Sequence, residues 1–544
     1  MSGFFSRTNR DMKYIFKSSS KLNKKQLKRK KRGISSLIGI LFVIVELIIS
    51  ILFTYEIIKL NIFPLKYLAM FIIIIILLLL YNFTSQFTKS RGIGKFLSIL
   101  VSILLVFGYL VGSKVNWTLQ GITSNITKTD SIHLVVLKED TASSIADTLN
   151  YTYGYNSQYD GNLPVKAIDN INTENNTSLN VKTYDSWEQI TAALYENSEI
   201  QLIAINSNMY KTLLEENENF DSKTRILDTI TITTKVAVEK GEVKQKGDCF
   251  VMYISGNDDY GTISDTGRSD VNILAVINPE TRQVMLISTP RDYYINISRP
   301  DSSGKMITGL DKLTHAGNAG TKYSMEALSN LFGVDIDYFF KVNFDGCVNI
   351  IDALGGITIF SDVDFVNGTN AAPERYHFVK GANECDGAKA LAFVREREAF
   401  VAEGDLRRGK NQQAAISAMI AKATSPAILT NYSAILEAVS DMMYTNMPTE
   451  SIQQLIKDQL SDSTPWNVQS YSLTFTPEAR EIDYIKPLQV YGGSGWACRP
   501  DYDSVNMAIK LIQKTQNDEI FNVDEVIQEL ENLEDSTNNT PITN

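Results

Sequence analysis

At 544 residues the chain exceeds the reach of a single hydrophobic core, and its composition, 44% hydrophobic and 21% charged, is ordinary for folded domains, so two or more are expected. The net charge of −10 is unevenly spread: residues 1–33 hold twelve Lys/Arg and one Asp (+11), residues 34–112 five Lys/Arg and two Glu (+3), leaving −24 for residues 113–544. An acidic bulk of that size repels phosphate backbones, which excludes nucleic acid as a partner.

Three apolar runs follow the basic segment 1–33: residues 34–55, 67–83 and 96–111, each about long enough to cross a bilayer. Three runs in tandem, with no small-residue cleavage site after the first, do not fit a cleaved signal peptide. Lys21–Arg32 (KLNKKQLKRKKR) precedes the first run, and Lys89, Arg91 and Lys95 lie between the second and third. By the positive-inside rule both belong in the cytoplasm, and everything after about Gly112 is extracytoplasmic; the basic run then reads as a topology signal rather than a nucleic-acid site. Glu46 lies inside the first run, where a carboxylate is either functional or paired within the bundle, and it is left out of the site.

Residues 116–130 read as a polar linker. An accessory α/β domain is expected over 131–236: strands at 133–137, 179–183 and 201–205, helices at 187–195 and 210–216, and a long Asn/Asp/Gly-rich loop at 156–176. Residues 239–246 link it to a second domain, 247–515, with a core at 249–425. That domain opens with the apolar strand CFVMYIS and continues through VNILAVI, the turn NPETRQ and VMLIST, which read as an antiparallel hairpin. In a hairpin the residue entering the first strand and the residue leaving the second share one edge, so GRSD (Arg268, Asp270) converges on TPRD (Arg291, Asp292). A strand at 338–344, a helix at 345–354 and a strand at 357–360 complete an α/β pattern with helices covering the sheet. Residues 535–544 read as a disordered tail. Cys249, Cys347, Cys385 and Cys498 would lie outside the membrane, where one or two structural disulfides are expected and their pairing is open.

Phe393–Gln413 (FVREREAFVAEGDLRRGKNQQ) carries four arginines within fourteen residues. Arg395 and Arg397, two apart in extended chain, face one side with Glu396 and Glu398 opposite; they are suited either to a diphosphate or to surface ion pairs. Asp405 is a candidate N-cap of a helix running to about Ala423. Along that helix Arg408, Gln412, Ile416 and Ile420 form one stripe, apolar except at its start, which turns Arg408 and Gln412 toward a pocket. Asp258 and Asp270, in loops beside the hairpin edge, have the chemistry for Mg²⁺, which takes one or two carboxylates plus water and phosphate oxygens; Asp259 shares that candidacy. The three histidines are scattered, and HExxH, GxSxG and P-loop motifs are absent.

The ordered set ISGNDDYG, GRSDVNILAVINPETRQVMLISTPRDYY, DKLTHAG, VNFDGCVNIIDALGGI, YHFVKG, ALAFVRER and GDLRRGKNQQ closely resembles the LytR-CpsA-Psr family of membrane-anchored cell-wall enzymes, over about residues 249–425. The three runs and the extra domain resemble its capsule-associated members. The resemblance implies an α/β/α sandwich with a mixed sheet, and a Gram-positive cell membrane as location. It also implies a phosphotransferase that moves a glycopolymer, such as capsular polysaccharide, from undecaprenyl diphosphate to peptidoglycan as a phosphodiester. It implies Mg²⁺ held by Asp258 and Asp270, catalysis by these two with Arg291, and a diphosphate held by Arg268, Arg291, Lys312, Arg395, Arg397, Arg408 and Gln412. Capsule polymerase or export proteins would be further partners. The base is open among Asp258, Asp270 and Asp405. Tyr338, Phe339, Val348, Ile351 and Ile416 are either a tunnel for the lipid tail or ordinary core. Two other readings are a non-catalytic lipid-diphosphate-binding regulator and a polyprenyl pyrophosphatase.

Overall fold

The structure is a computed structural model that describes residues 10–157, 162–196, 199–237, 239–257, 263, 265–300, 305–400, 404–425, 435, 443–476, 481–483 and 494–538. The chain folds as two compact units, residues 1–120 with 449–463, and residues 121–448 with 464–544.

The first unit contains helices α1 (Lys24–Leu60), α2 (Leu65–Ser85) and α3 (Arg91–Ser124), each long and apolar enough to cross a membrane. Asn23 caps α1, accepting from Gln26 N while Gln26 Oε1 accepts from Asn23 N. Glu46 is fully buried, and both its carboxylate oxygens accept from Asn82 Nδ2 of α2, at 3.0 Å each. A buried carboxylate needs such a partner, so Glu46 ties two spans together. The linker expected at 116–130 is absent: α3 runs to Ser124 and the first strand begins at Asn125.

The second unit begins with a five-stranded sheet in the order β3-β2-β4-β1-β5, made of β1 (Asn125–Leu137), β2 (Thr152–Asn156), β3 (Asn180–Tyr184), β4 (Leu202–Asn206) and β5 (Thr224–Ala237). Helix α4 (Leu163–Asn175) occupies most of the segment read as a loop. Pro164 opens it, and Ala167, Ile168 and Ile171 bury one face against the sheet despite the surrounding Asn and Asp. Helix α5 (Trp187–Tyr195) and helix α6 (Ser207–Glu216) cover the other face.

The larger sheet has six strands, β6 (Phe250–Asn257), β7 (Val271–Asn278), β8 (Gln283–Ser288), β11 (Tyr338–Asn343), β16 (Met443–Thr445) and β17 (Asn467–Ser472), in the order β16-β11-β6-β7-β8-β17. It is mixed: β6, β7 and β8 are antiparallel neighbours, while β11 runs parallel to β6 and β17 parallel to β8. Period-2 alternation divides its side chains. Leu274, Val276, Met285 and Ile287 pack with α9 (Thr321–Phe332) and α14 (Tyr502–Gln516) on one face. Ile273, Ala275, Val284 and Leu286 pack against Ile416 and Ile420 of α12 (Gly404–Ala423) on the other, giving the α/β/α sandwich. The remaining strands pair outside this sheet: β9 (Tyr294–Pro300) with β10 (Met306–Lys312), β12 (Ile357–Ser361) with β15 (Gly381–Cys385), β13 (Phe365–Val366) with β14 (His377–Phe378), and β18 (Glu481–Asp483) with β19 (Ser494–Trp496). Helices α8 (Leu313–Ala319), α10 (Phe344–Ala353) and α11 (Gly387–Arg395) follow β10, β11 and β15. Between the elements already named lie α7 (Glu218–Lys223) and α13 (Thr449–Ser461), and α15 (Val523–Asn538) closes the chain. That last helix reaches four residues into the segment read as a tail.

Tyr338 and Ile351 are fully buried and Phe339 belongs to the main core, so these side chains are packing. The expected disulfides do not form. All four cysteines are free thiols, and burial pushes Cys249 up to about 12 and Cys347 and Cys385 up to about 11.

Candidate active site

The site is built where the β7–β8 hairpin ends. Asn278 closes the turn, its Oδ1 accepting from Glu280 N and Thr281 N, and the strands pair in register from Asn278–Gln283 to Ile273–Ser288. Residues 267–270 and 289–292 therefore meet at the far edge, as the hairpin reading requires. Helix α8 joins the two arms: Ser269 N donates to Thr314 O at 3.2 Å, and Thr314 N to Arg291 O at 2.9 Å. A Cβ on Gly317 would stand 2.4 Å from Gly267 O, so this close approach needs glycine.

Asp270 lies between the arms. Arg291 Nη1 donates to its Oδ1 at 2.5 Å, and Arg268 Nη2 stands 3.9 Å from the same oxygen. Arg291 Nε faces Asp292 at 3.5 Å, and Lys312, at the start of α8, stands 4.0 Å from Asp292, so charges alternate along the arms. Burial alone would raise the pKa of Asp270, but the charges of Arg291, Arg268 and Arg408 outweigh it and hold the carboxyl below the usual carboxylate range. Its Oδ2 is buried with no hydrogen-bond partner.

Helix α12 supplies the facing wall, and its first turns are fixed residue by residue. Arg407 is almost fully buried; Nη1 donates to Asp362 Oδ2 at 2.8 Å, Nη2 to Oδ1, and the guanidinium lies over the Phe400 ring. Asn411 Nδ2 donates to Phe393 O at 3.1 Å. Gln413 Nε2 donates to Leu286 O and Tyr471 O at 3.1 and 2.7 Å, and its Oε1 accepts from Ser472 Oγ. With these three turned into the protein, Arg408 and Gln412 face a cleft that they line with Asp270, Arg291, Ser288, Thr289, Leu406, Ser472 and Leu473. Gly409 permits the approach, since a Cβ there would stand 2.7 Å from Ser288 Oγ.

The structure thus brings Asp270, Arg291, Arg408 and Gln412 into one cleft, with Arg268 and Lys312 in the charge chain beside it. Arg395 and Arg397 are not among the lining residues. Contrary to the extended reading, Arg395 ends α11, donates from Nη1 to Ala371 O at 3.1 Å and lies over Phe344. Arg397 is exposed, while Glu396 between them is fully buried and accepts from Gly368 N and Ala399 N. Asp258 and Asp259 lie outside the described residues. Asp405 falls in the first turn of α12, which begins one residue earlier, and is not its N-cap. Ser472 and Leu473 carried no signal in the sequence; they reach the cleft because β17 pairs with β8.

The LytR_cpsA_psr family model matches residues 203–494, more than half of the chain. The chain belongs to the LytR_cpsA_psr family. A relative from Bacillus anthracis named polyisoprenyl-teichoic acid–peptidoglycan teichoic acid transferase TagU is 31% identical over 227 residues, which span 41% of this chain and 70% of the relative. A protein of the same name from Oceanobacillus iheyensis is 33% identical over 199 residues, 35% of this chain and 58% of its own length. Among solved structures, B. subtilis TagV aligns with 50% of this chain and 99% of its own at 24% identity and a TM-score of 0.39. The family match begins inside the five-stranded sheet, at Ile203, and spans every residue placed in the cleft.

Proposed function

We propose that the chain is a membrane-anchored phosphotransferase that moves a glycopolymer from a polyprenyl diphosphate carrier to peptidoglycan through a phosphodiester. The observation that carries this reading is the cleft itself, where two guanidinium groups meet on a buried carboxylate opposite Arg408 and Gln412. The relatives named as transferases of polyisoprenyl-linked teichoic acid to peptidoglycan support it. Capsular polysaccharide is the polymer we assign, with the N-terminus cytoplasmic and the cleft extracytoplasmic in a Gram-positive cell.

Phosphoryl transfer asks mainly for positioning and charge stabilisation. Arg291 and Arg408 would hold the diphosphate oxygens as planar forks, Gln412 would add a neutral donor, and Arg268 would offset charge from behind. The acceptor hydroxyl attacks the sugar-proximal phosphorus in line. The new P–O bond forms as the bond to the bridging oxygen breaks, and polyprenyl phosphate leaves with that electron pair. Asp270, ionised and bound by arginine, is a poor proton acceptor and serves to fix Arg291. The hydroxyl proton then falls to water or to another carboxylate, with Asp258 and Asp405 the candidates.

The buried, unpartnered Oδ2 of Asp270 fits a single-carboxylate share in a Mg²⁺ site completed by phosphate oxygens and water, with Asp258 as the second ligand. When bound, Mg²⁺ would supply further neutralisation of the phosphate charge.

The test is to incubate the full chain in nanodiscs with Mg²⁺, lipid-diphosphate-linked saccharide and peptidoglycan fragments, beside an Arg291→Ala control. Mass spectrometry would then seek a saccharide-phosphate-peptidoglycan adduct. Free saccharide phosphate without adduct would make the chain a pyrophosphatase, and bound lipid without turnover would make it a binding regulator. Capsular and teichoic acid donors compared side by side decide the polymer.

A further inference from the structure

The basic segment before the first span does more than the positive-inside rule asks of it. That rule needs charge in the flank and no folded shape, yet here the flank is folded. Lys30 Nζ reaches back to Lys17 O at 2.5 Å and Ser19 Oγ at 3.2 Å, and Gly33 lies so close to residues 11 and 15 that a Cβ would stand 2.9 Å from Asp11 O. Arg91, at the start of α3, donates from Nη1 to Arg32 O at 3.1 Å. The result is a recess of about 390 Å³ lined by Arg10, Asp11, Lys25, Lys28, Arg29 and Arg32.

Lys25, Lys28, Arg29 and Arg32 are spaced i, i+3, i+4, i+7 and so share one face of α1. Such a stripe contains like charges at i, i+3 and i, i+4, an arrangement that works against the helix when nothing offsets it. The one carboxylate in the recess, Asp11, stands 3.3 Å from Arg32 Nε. Among the described residues, Lys25, Lys28 and Arg29 have no carboxylate partner. A concave site in which Lys25, Lys28 and Arg29 have no carboxylate to meet is completed by an anion with several oxygens.

We propose that this recess binds the phosphate-bearing headgroup of an anionic membrane lipid. The location argues for a lipid over a free ion, because the recess sits at the mouth of three membrane-length helices, where headgroup phosphate is held at high local concentration.

The test uses the full chain in nonionic detergent, titrated with short-chain phosphatidylglycerol and followed by native mass spectrometry, with phosphatidylcholine as the neutral lipid. The variants are K25Q/K28Q, inside the stripe, and K24Q/K31Q, beside it. Both lose two charges from the same flank, so general electrostatic effects cancel between them. Each charge in the site is worth about fivefold in affinity, so K25Q/K28Q binds about 25-fold more weakly, while K24Q/K31Q changes by no more than about twofold. Equal losses in the two variants would reduce the recess to a diffuse basic flank, and phosphatidylcholine binding as well as phosphatidylglycerol would remove the charge argument. Inorganic phosphate that competes as well as the lipid at equal concentration would overturn the lipid assignment in favour of a free anion.

Discussion

Arg268 and Arg291 lie 23 positions apart and meet on one carboxylate, whereas Arg395, Arg397, Arg407 and Arg408 fall within fourteen residues and diverge. In the first region a hairpin brings distant residues to one sheet edge. In the second, a helix end, a turn and a new helix send neighbours in different directions, one to a backbone carbonyl, one to the exposed surface, one to Asp362 and one to the cleft. Density of arginine along a sequence therefore says little about density in space; what decides is the element that carries each one.

Arg291→Ala should break the first region outright. It removes a fork from the cleft and leaves Asp270 to the more distant charges of Arg268 and Arg408, so we expect a loss of about 10³-fold in kcat/KM in the transfer assay. Arg291→Lys keeps the charge without the planar fork and should recover only part of that loss. A variant that transfers normally would exclude Arg291 from the site. Arg408→Ala should cost about 10²-fold in kcat/KM with Tm unchanged, because its neighbours Arg407, Asn411 and Gln413 keep α12 in place. A drop in Tm with unimpaired turnover would instead make Arg408 a packing residue.

The first region was legible in the sequence because its information is local: two short apolar runs around NPETRQ determine which residues share an edge. The stripe of Arg408, Gln412, Ile416 and Ile420 was legible for the same reason, and its apolar half packs on the sheet. What stayed hidden depends on distant partners. Asp362 lies 45 positions before Arg407, and Ser472 enters the cleft only through the parallel pairing of β17 with β8. The helix α4 was concealed by its Asn and Asp residues, although its four-residue apolar spacing was present. Free thiols could not be told from disulfides, because four cysteines fix no distances.

Arg407→Ala should sharpen the contrast between adjacent residues. The lost bidentate contact and buried stem should lower stability by about 2 kcal/mol, read as a lower denaturant midpoint, while kcat of the folded fraction stays within about threefold of wild type. An equal loss of kcat in the Arg407 and Arg408 variants would erase the distinction.

Acid should report on the first region through Asp270. The Asp270 carboxyl is held below its ordinary range in the folded protein, so its contribution to stability is fully present above the unfolded value of about 3.9 and is lost as pH falls through the folded value. Asp270→Asn should be less stable than wild type at neutral pH, and the gap should narrow below about pH 4. A gap independent of pH would mean that the asparagine fails for reasons of shape rather than charge.

Arg397→Ala is the smallest change and bears on the outer part of the second region. Its guanidinium is exposed, so any help it gives an incoming dianion acts through water and is screened by salt. We expect KM for the lipid-linked donor to rise about threefold at low ionic strength, kcat to stay constant, and the difference to vanish as salt is raised. A fall in kcat that persists at high salt would mean that Arg397 reaches the phosphates directly when substrate is bound, and the divergence of the four arginines would then narrow on binding.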